Sequence, residues 1–369
     1  MQIHNPEAGC AEHDLVCAQH PAVDLVCKEV LSRAVAAVRY DRDAAALVLA
    51  GSLTTGRACG TVIEDRALLL SDIDLAVVPA EDASPGLRTR LAGLSAEVTR
   101  PARDLGLVSH LEFGLLSRRV MDHPRDSLFL HDLARTGITL AGDRGFLANL
   151  RARLAGRTVD AEEGRCLVLN RIAGQVYMLP HLASVDPLDR LVARYQFAKA
   201  YTDNHLALSI VKDSYHRGDF THPVLEQQAE AARRWEAFRQ APPADPGSPA
   251  RLLEEWKAVV QDQVRVAEAM GALSSRTGIP RPTHALAWSR LKGLKPTLRE
   301  QLGMGGSPLQ KAHVRCVELA REMLSGHARA DWAGRAHAAV TLWRFAVNGW
   351  NDTPETYTKR VSELIRSTT

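Results

Sequence analysis

Nowhere in the 369-residue chain is there a run of about 18 apolar residues, so a helix crossing a bilayer is excluded. The first ten residues, "MQIHNPEAGC", also lack the basic and apolar regions of a secretory signal, and a cytoplasmic protein is expected. Cysteine is sparse: Cys10, Cys17, Cys27, Cys59, Cys166 and Cys316 are spread too widely for a disulfide framework, and reduced thiols fit the same compartment. An excess of one charge is missing too. The 46 basic and 43 acidic residues leave a net charge of +3, too balanced for a dedicated nucleic-acid or membrane-surface protein, although a local basic cleft is compatible with it. There is no Walker phosphate loop, no defensible Ser-His-Asp order and no paired zinc-type cysteines.

What is present is an ordinary globular composition, 46% hydrophobic and 24% charged, on a chain long enough for two cores. The organisation changes near residue 150. Before it, "AAALVLA" (44–50), "DIDLAVV" (72–78) and "LVSHLEFGLL" (107–116) read as strands, with a helix near 87–104. After it the pattern is helical, with start signals at Asp186-Pro187 and at Asp352-Thr353-Pro354-Glu355, and stop signals at Gly218 and Gly271. The fold class expected is therefore an α/β domain with a short mixed sheet, followed by an all-α domain. The boundaries read as a leading helical segment 1–27, a catalytic domain 28–148 and a helical domain 149–369 that covers the active site. "APPADPGSP" (241–249) and "GMGGSP" (303–308) read as loops. All six tryptophans lie after residue 230, which suits either a core or an acceptor pocket.

Cys10, His13, Cys17 and His20 are zinc-ligand types, but their spacing puts them on one stripe of a helix, and a single stripe cannot surround a tetrahedral ion. An amphipathic leading helix broken by Pro21 is the simpler expectation.

The residues that carry chemistry lie in the first half. In "SDIDLAVV" (71–78), alternation puts Asp72 and Asp74 on one face of a strand, with Ile73 and Leu75 on the other. Like charges this close are tolerated at a solvated strand end or at a metal-binding edge. Upstream, the apolar run 44–50 ends in Gly51-Ser52, a turn that permits close backbone approach and whose amides can cradle phosphate. Downstream, Glu112 stands among apolar neighbours on a third strand, sharing a face with Val108, His110 and Gly114.

A strand, a Gly-Ser turn, Asp-x-Asp on a second strand and an acid on a third resemble the DNA polymerase beta-like nucleotidyltransferase superfamily. Gly51, Ser52, Asp72 and Asp74 carry the resemblance, and "DLARTGITLAGD" (132–143) looks like the end of such a domain. It covers about residues 28–148. The spacer between Ser52 and Asp72 is longer than in minimal members and implies an insertion such as a hairpin. Thr54-Thr55-Gly56-Arg57 stands where many members have a small residue and Arg-Gly, so Arg57 is either a displaced phosphate ligand or a surface arginine.

The resemblance implies Mg²⁺-dependent transfer of a nucleoside monophosphate, with two ions expected and Mn²⁺ able to substitute. Asp72, Asp74 and Glu112 would be metal ligands and catalytic groups, Glu112 either binding the metal on the nucleophile's side or acting as general base, with Asp104 as a fallback for the third acid. Gly51, Ser52, Arg57 and Ser71 would contact the nucleotide, Ser71 alternatively capping the turn into the strand. In the helical half, Lys199 and the Ser214-Tyr215 pair fit the phosphate and base contacts of larger members, or an amphipathic helix with a solvated lysine. The partners implied are a nucleoside triphosphate, ATP first, and a small-molecule hydroxyl acceptor. RNA ends, a protein side chain or a second nucleotide are alternative acceptors, and a silent nucleotide-binding protein is the alternative of another class.

Overall fold

The computed structural model describes residues 15–39, 41–81, 83–212, 233, 237–238, 242, 245–272, 308–328, 331–348 and 357–366. They divide into two units, Met1–Val159 with Ala237–Ala244, and Asp160–Glu236 with Asp245–Thr369.

In the first unit, helix α1 (Pro21–Val38) leads into strand β1 (Ala44–Ala50). The leading segment departs from expectation. Residues 15–20 are not helical, and Pro21 opens α1 instead of breaking a helix. At the first helical position the missing proline N–H is one that a helix cannot satisfy anyway, and the fixed φ suits the helix. His20 caps this end, its ring nitrogen accepting from the Ala22 amide, while Asp24 reaches back to the amides of Cys17 and Ala18.

A 3-10 turn, η1 (Gly51–Thr55), follows β1. The long spacer then forms a hairpin of β2 (Gly60–Ile63) and β3 (Arg66–Leu69). Its two-residue turn, Glu64-Asp65, has φ of 49° and 61°. Those values belong to a primed hairpin turn, whose twist matches the flanking strands. Strand β4 (Ile73–Pro79) runs antiparallel to β1, and helix α2 (Leu87–Leu105) crosses over to β5 (Leu111–Leu115), which lies parallel to β4. The third strand is thus shorter than the apolar run 107–116. After the helices α3 (Arg118–Asp122) and α4 (Leu128–Thr136), β6 (Ile138–Gly142) pairs antiparallel with the other edge of β1. The sheet order is β5-β4-β1-β6.

Alternation along the strands makes two apolar faces. Leu47, Leu49, Ile73, Leu75, Leu111 and Phe113 pack against α1 and α2. On the opposite face Ala46, Val48, Ala50, Ala76 and Val78 pack against α4 and helix α5 (Gly145–Leu154), which contributes Phe146, Leu147, Leu150 and Leu154. By burying these four leucine and phenylalanine side chains on the sheet, α5 extends the first unit beyond residue 148.

The described elements of the second unit are all helices: α6 (Ala161–Leu182), α7 (Pro187–Val211), α8 (Pro249–Ala269), α9 (Pro308–Leu324), α10 (Trp332–Asn348) and α11 (Tyr357–Arg366). Asp160, Asp186 and Ser248 cap α6, α7 and α8 with side-chain oxygens, and Pro187 and Pro249 open the last two; Asp186-Pro187 is the start signal read from the sequence, whereas Ser248-Pro249 begins a helix where a loop was expected. Gly271, with φ +67°, follows α8. Trp256 and Trp332 are fully buried, their indole N–H groups donating to the carbonyls of Gln175 and Leu319. They are core residues, not pocket walls. Among the described residues no helix is long and apolar enough to cross a membrane.

Candidate active site

Three neighbouring strands bring the central residues together. Ala50 lies in register with Asp74, and Asp74 with Glu112. Residues in register share a face, so both carboxylates lie on the side covered by α4 and α5, on strands about 4.8 Å apart. The covering ends at this point: Ala76 is fully buried, Asp74 is half-buried and Glu112 is exposed. Two acids side by side at an open sheet end repel unless a cation or basic group offsets the charge.

Gly51 is the next residue after Ala50. Its φ of +77° is one that L side chains rarely adopt, and a Cβ on it would stand 3.1 Å from Asp74 Oδ2. The absence of a side chain there lets the turn lie directly against the carboxylate. Leu53, fully buried, anchors η1 into the core. The Thr54 and Thr55 hydroxyls donate to the carbonyls of Gly51 and Ser52, and the Arg57 amide also donates to the Ser52 carbonyl. The carbonyl ends of the turn are therefore occupied, whereas its leading amides have no acceptor within a 3-10 turn. Ser52 is half-buried and Arg57 exposed.

Asp72 lies just before β4, and its side chain is 17% exposed. The register of β4 with β5 is the same on both sides of this point, Leu69 opposite Leu107 and Ile73 opposite Leu111, which sets Asp72 opposite His110. Between these pairs the chain turns aside: the Leu70 and Ser71 amides donate to the Cys59 carbonyl, and the Ser71 hydroxyl accepts from the Cys59 amide at 2.8 Å. Ser71 is fully buried and holds this bend; it is not on the open rim. The Ser109 hydroxyl donates to Asp72 Oδ1, and His110 Nδ1 stands 3.6 Å from the same oxygen and 3.5 Å from Ser109 Oγ. Both contacts reach one ring nitrogen, so the three do not form a Ser-His-Asp relay, which uses both.

Asp104 is exposed in the last turn of α2. Lys199 belongs to the second unit, half-buried on α7 between the core residues Ala198 and Ala200. Ser214 and Tyr215 lie outside the described residues, as do Cys10 and His13. Cys17 is buried against Cys27, whose thiol is pushed well up by the neighbouring sulfur and by burial. With residues 15–20 non-helical, no helical zinc stripe exists there. Ser109 was not among the sequence candidates. The only signal for it was its place three residues before the acidic strand position Glu112.

Among the described residues no three His, Cys, Asp or Glu side chains form a ready metal cluster. Mg²⁺ does not require one: it is commonly held by one or two carboxylates with substrate phosphates and water. The hard oxygens of Asp72 and Asp74, with the Gly51 turn held close against Asp74, fit such an ion. Neither protein-family models, nor characterised proteins, nor solved structures give a match to this chain.

Proposed function

We propose that the first unit is a nucleotidyltransferase domain that moves a nucleoside monophosphate from a triphosphate, ATP first, to a hydroxyl of a small molecule. The observation that carries this reading is the line Ala50, Asp74, Glu112 across three strands, with a side-chain-free Gly51 against Asp74. It agrees with the resemblance to the DNA polymerase beta-like superfamily.

In this reading Asp72 and Asp74 hold Mg²⁺, which when bound neutralises triphosphate charge and lowers the pKa of the attacking hydroxyl. The Ser52 hydroxyl and the leading amides of η1 bind phosphate oxygens. Glu112, exposed beside Asp74, accepts the proton of the acceptor hydroxyl. The acceptor oxygen forms a bond to the α-phosphorus as the bond to the β-bridging oxygen breaks, and that electron pair leaves on pyrophosphate.

The test is thermal unfolding with each ribonucleoside triphosphate, with and without Mg²⁺, on wild type, Asp72→Ala and Asp74→Ala. A triphosphate at about 100 times its Kd adds roughly 2.7 kcal/mol. Stabilisation that needs both Mg²⁺ and the aspartates is the expected result; its absence in wild type, or its persistence in both variants, overturns the assignment. Once an acceptor is found, Glu112→Gln is expected to lower turnover about 10²-fold or more, and near-normal turnover would remove Glu112 as base.

A further inference from the structure

Asp72 differs from Asp74 in how it is held. Asp74 is inside a strand paired on both sides, at Ala50 and at Glu112. Asp72 precedes the strand, directly after the bend that sends Ser71 to Cys59. Its place beside β5 depends on the segment Val108–His110, where the Val108 amide donates to the Leu69 carbonyl and the Ile73 amide to the His110 carbonyl. These two bonds bracket Asp72 and bring Ser109 across to it.

A carboxylate at such a bend can rotate about two side-chain torsions, and a rotating ligand loses that freedom when it binds a cation. We infer that Ser109 is the positioning residue of the cation-binding edge: its hydroxyl, donating to Asp72 Oδ1, fixes the carboxylate before the ion and triphosphate arrive. A hydroxyl suits this task because it offers one proton to the anion and, being uncharged, does not compete with the cation for it. His110 Nδ1, 3.6 Å from Oδ1, closes the same side of the carboxylate. The inference rests on the nucleotidyl-transfer reading of Asp72.

The experiment is a Mg²⁺ titration of triphosphate-induced thermal stabilisation, each variant measured against its own ligand-free transition. Ser109→Ala is expected to raise the Mg²⁺ concentration for half-maximal stabilisation about 10-fold, the lower end of the effect of removing a partner that orients a metal ligand. Ser109→Thr, which keeps the hydroxyl, should stay near wild type, and at saturating Mg²⁺ the triphosphate midpoint of Ser109→Ala should return to the wild-type value. If Ser109→Ala does not fold, Ser109→Cys, a weaker donor, is expected to show the same rise. A wild-type Mg²⁺ midpoint in Ser109→Ala, or a Ser109→Thr as impaired as the alanine, overturns the positioning role while the Asp72→Ala loss leaves the transferase reading standing. If Asp72→Ala itself titrates like wild type, Asp72 is not a cation ligand and the role of Ser109 falls with it, whereas the transferase reading fails only if Asp74→Ala does the same.

Discussion

Within the candidate site, Gly51 is a residue whose identity is constrained by geometry. A methyl group there meets the Asp74 carboxylate at 3.1 Å, and the positive φ costs any L side chain about 1–2 kcal/mol. Gly51→Ala is therefore expected to lower stability by about that amount and, separately, to weaken Mg²⁺-dependent triphosphate binding by pushing the turn from Asp74. Urea unfolding with and without ligand separates the two, and a variant with wild-type ligand response would show that close approach is not needed. At this scale much of the site is legible in the sequence, because Gly-Ser and Asp-x-Asp are local patterns that end or begin strands. Ser71 and Ser109 are not legible. One is drawn inward by Cys59 and the other is brought to Asp72 by strand pairing, and both events depend on residues distant in the chain.

The elements follow hydrophobic period where that period is long. Strand β1 lies where its continuous apolar run puts it, because both its faces are buried, and helix α2 where 3.6-residue spacing puts it, because one face packs into the core beneath the sheet. The hairpin of β2 and β3 was open only to inference from spacer length, since Glu64-Asp65 carries none of the Asn-Gly chemistry of a primed turn. That mismatch is testable. Replacing Glu64 with Asn and Asp65 with Gly together should raise stability by about 1 kcal/mol, read as a higher urea midpoint with unchanged slope, whereas a loss would mean the acidic side chains contribute contacts worth more than the backbone strain. Pro21 teaches the converse: a proline inside a periodic run marks a helix start as readily as a helix break, and only the non-helical residues before it decide.

Over the whole chain, the second unit carries a titratable group in its core. His313 Nε2 meets Asn170 Oδ1 at 2.8 Å, the oxygen that also accepts from the Trp343 indole, and burial pushes the imidazole pKa down to about 3. The unfolded chain takes up the proton near pH 6.5, the folded chain only near pH 3, so stability is complete above 6.5 and falls between the two values. The slope is up to about 1.4 kcal/mol per pH unit. His313→Gln, which keeps a donor for Asn170, is expected to flatten the acid limb of the melting curve by one proton; an unchanged slope would place the titration elsewhere. The broad split into a sheet-bearing half and a helical half was readable from the change in period, but the return of Ala237–Ala244 to the first unit was not. It rests on long-range contacts such as the Thr61 hydroxyl donating to the Pro242 carbonyl, which leave no local mark. That return has a consequence for biosynthesis. During translation at roughly 5–20 residues per second, the hairpin that carries Thr61 must wait on the order of 10 s after Val159 is made before its partner emerges from the ribosome. The nascent first unit has to persist through that interval with one of its own pieces still unmade, so a stop codon placed between the two units would yield a fragment arrested in this state.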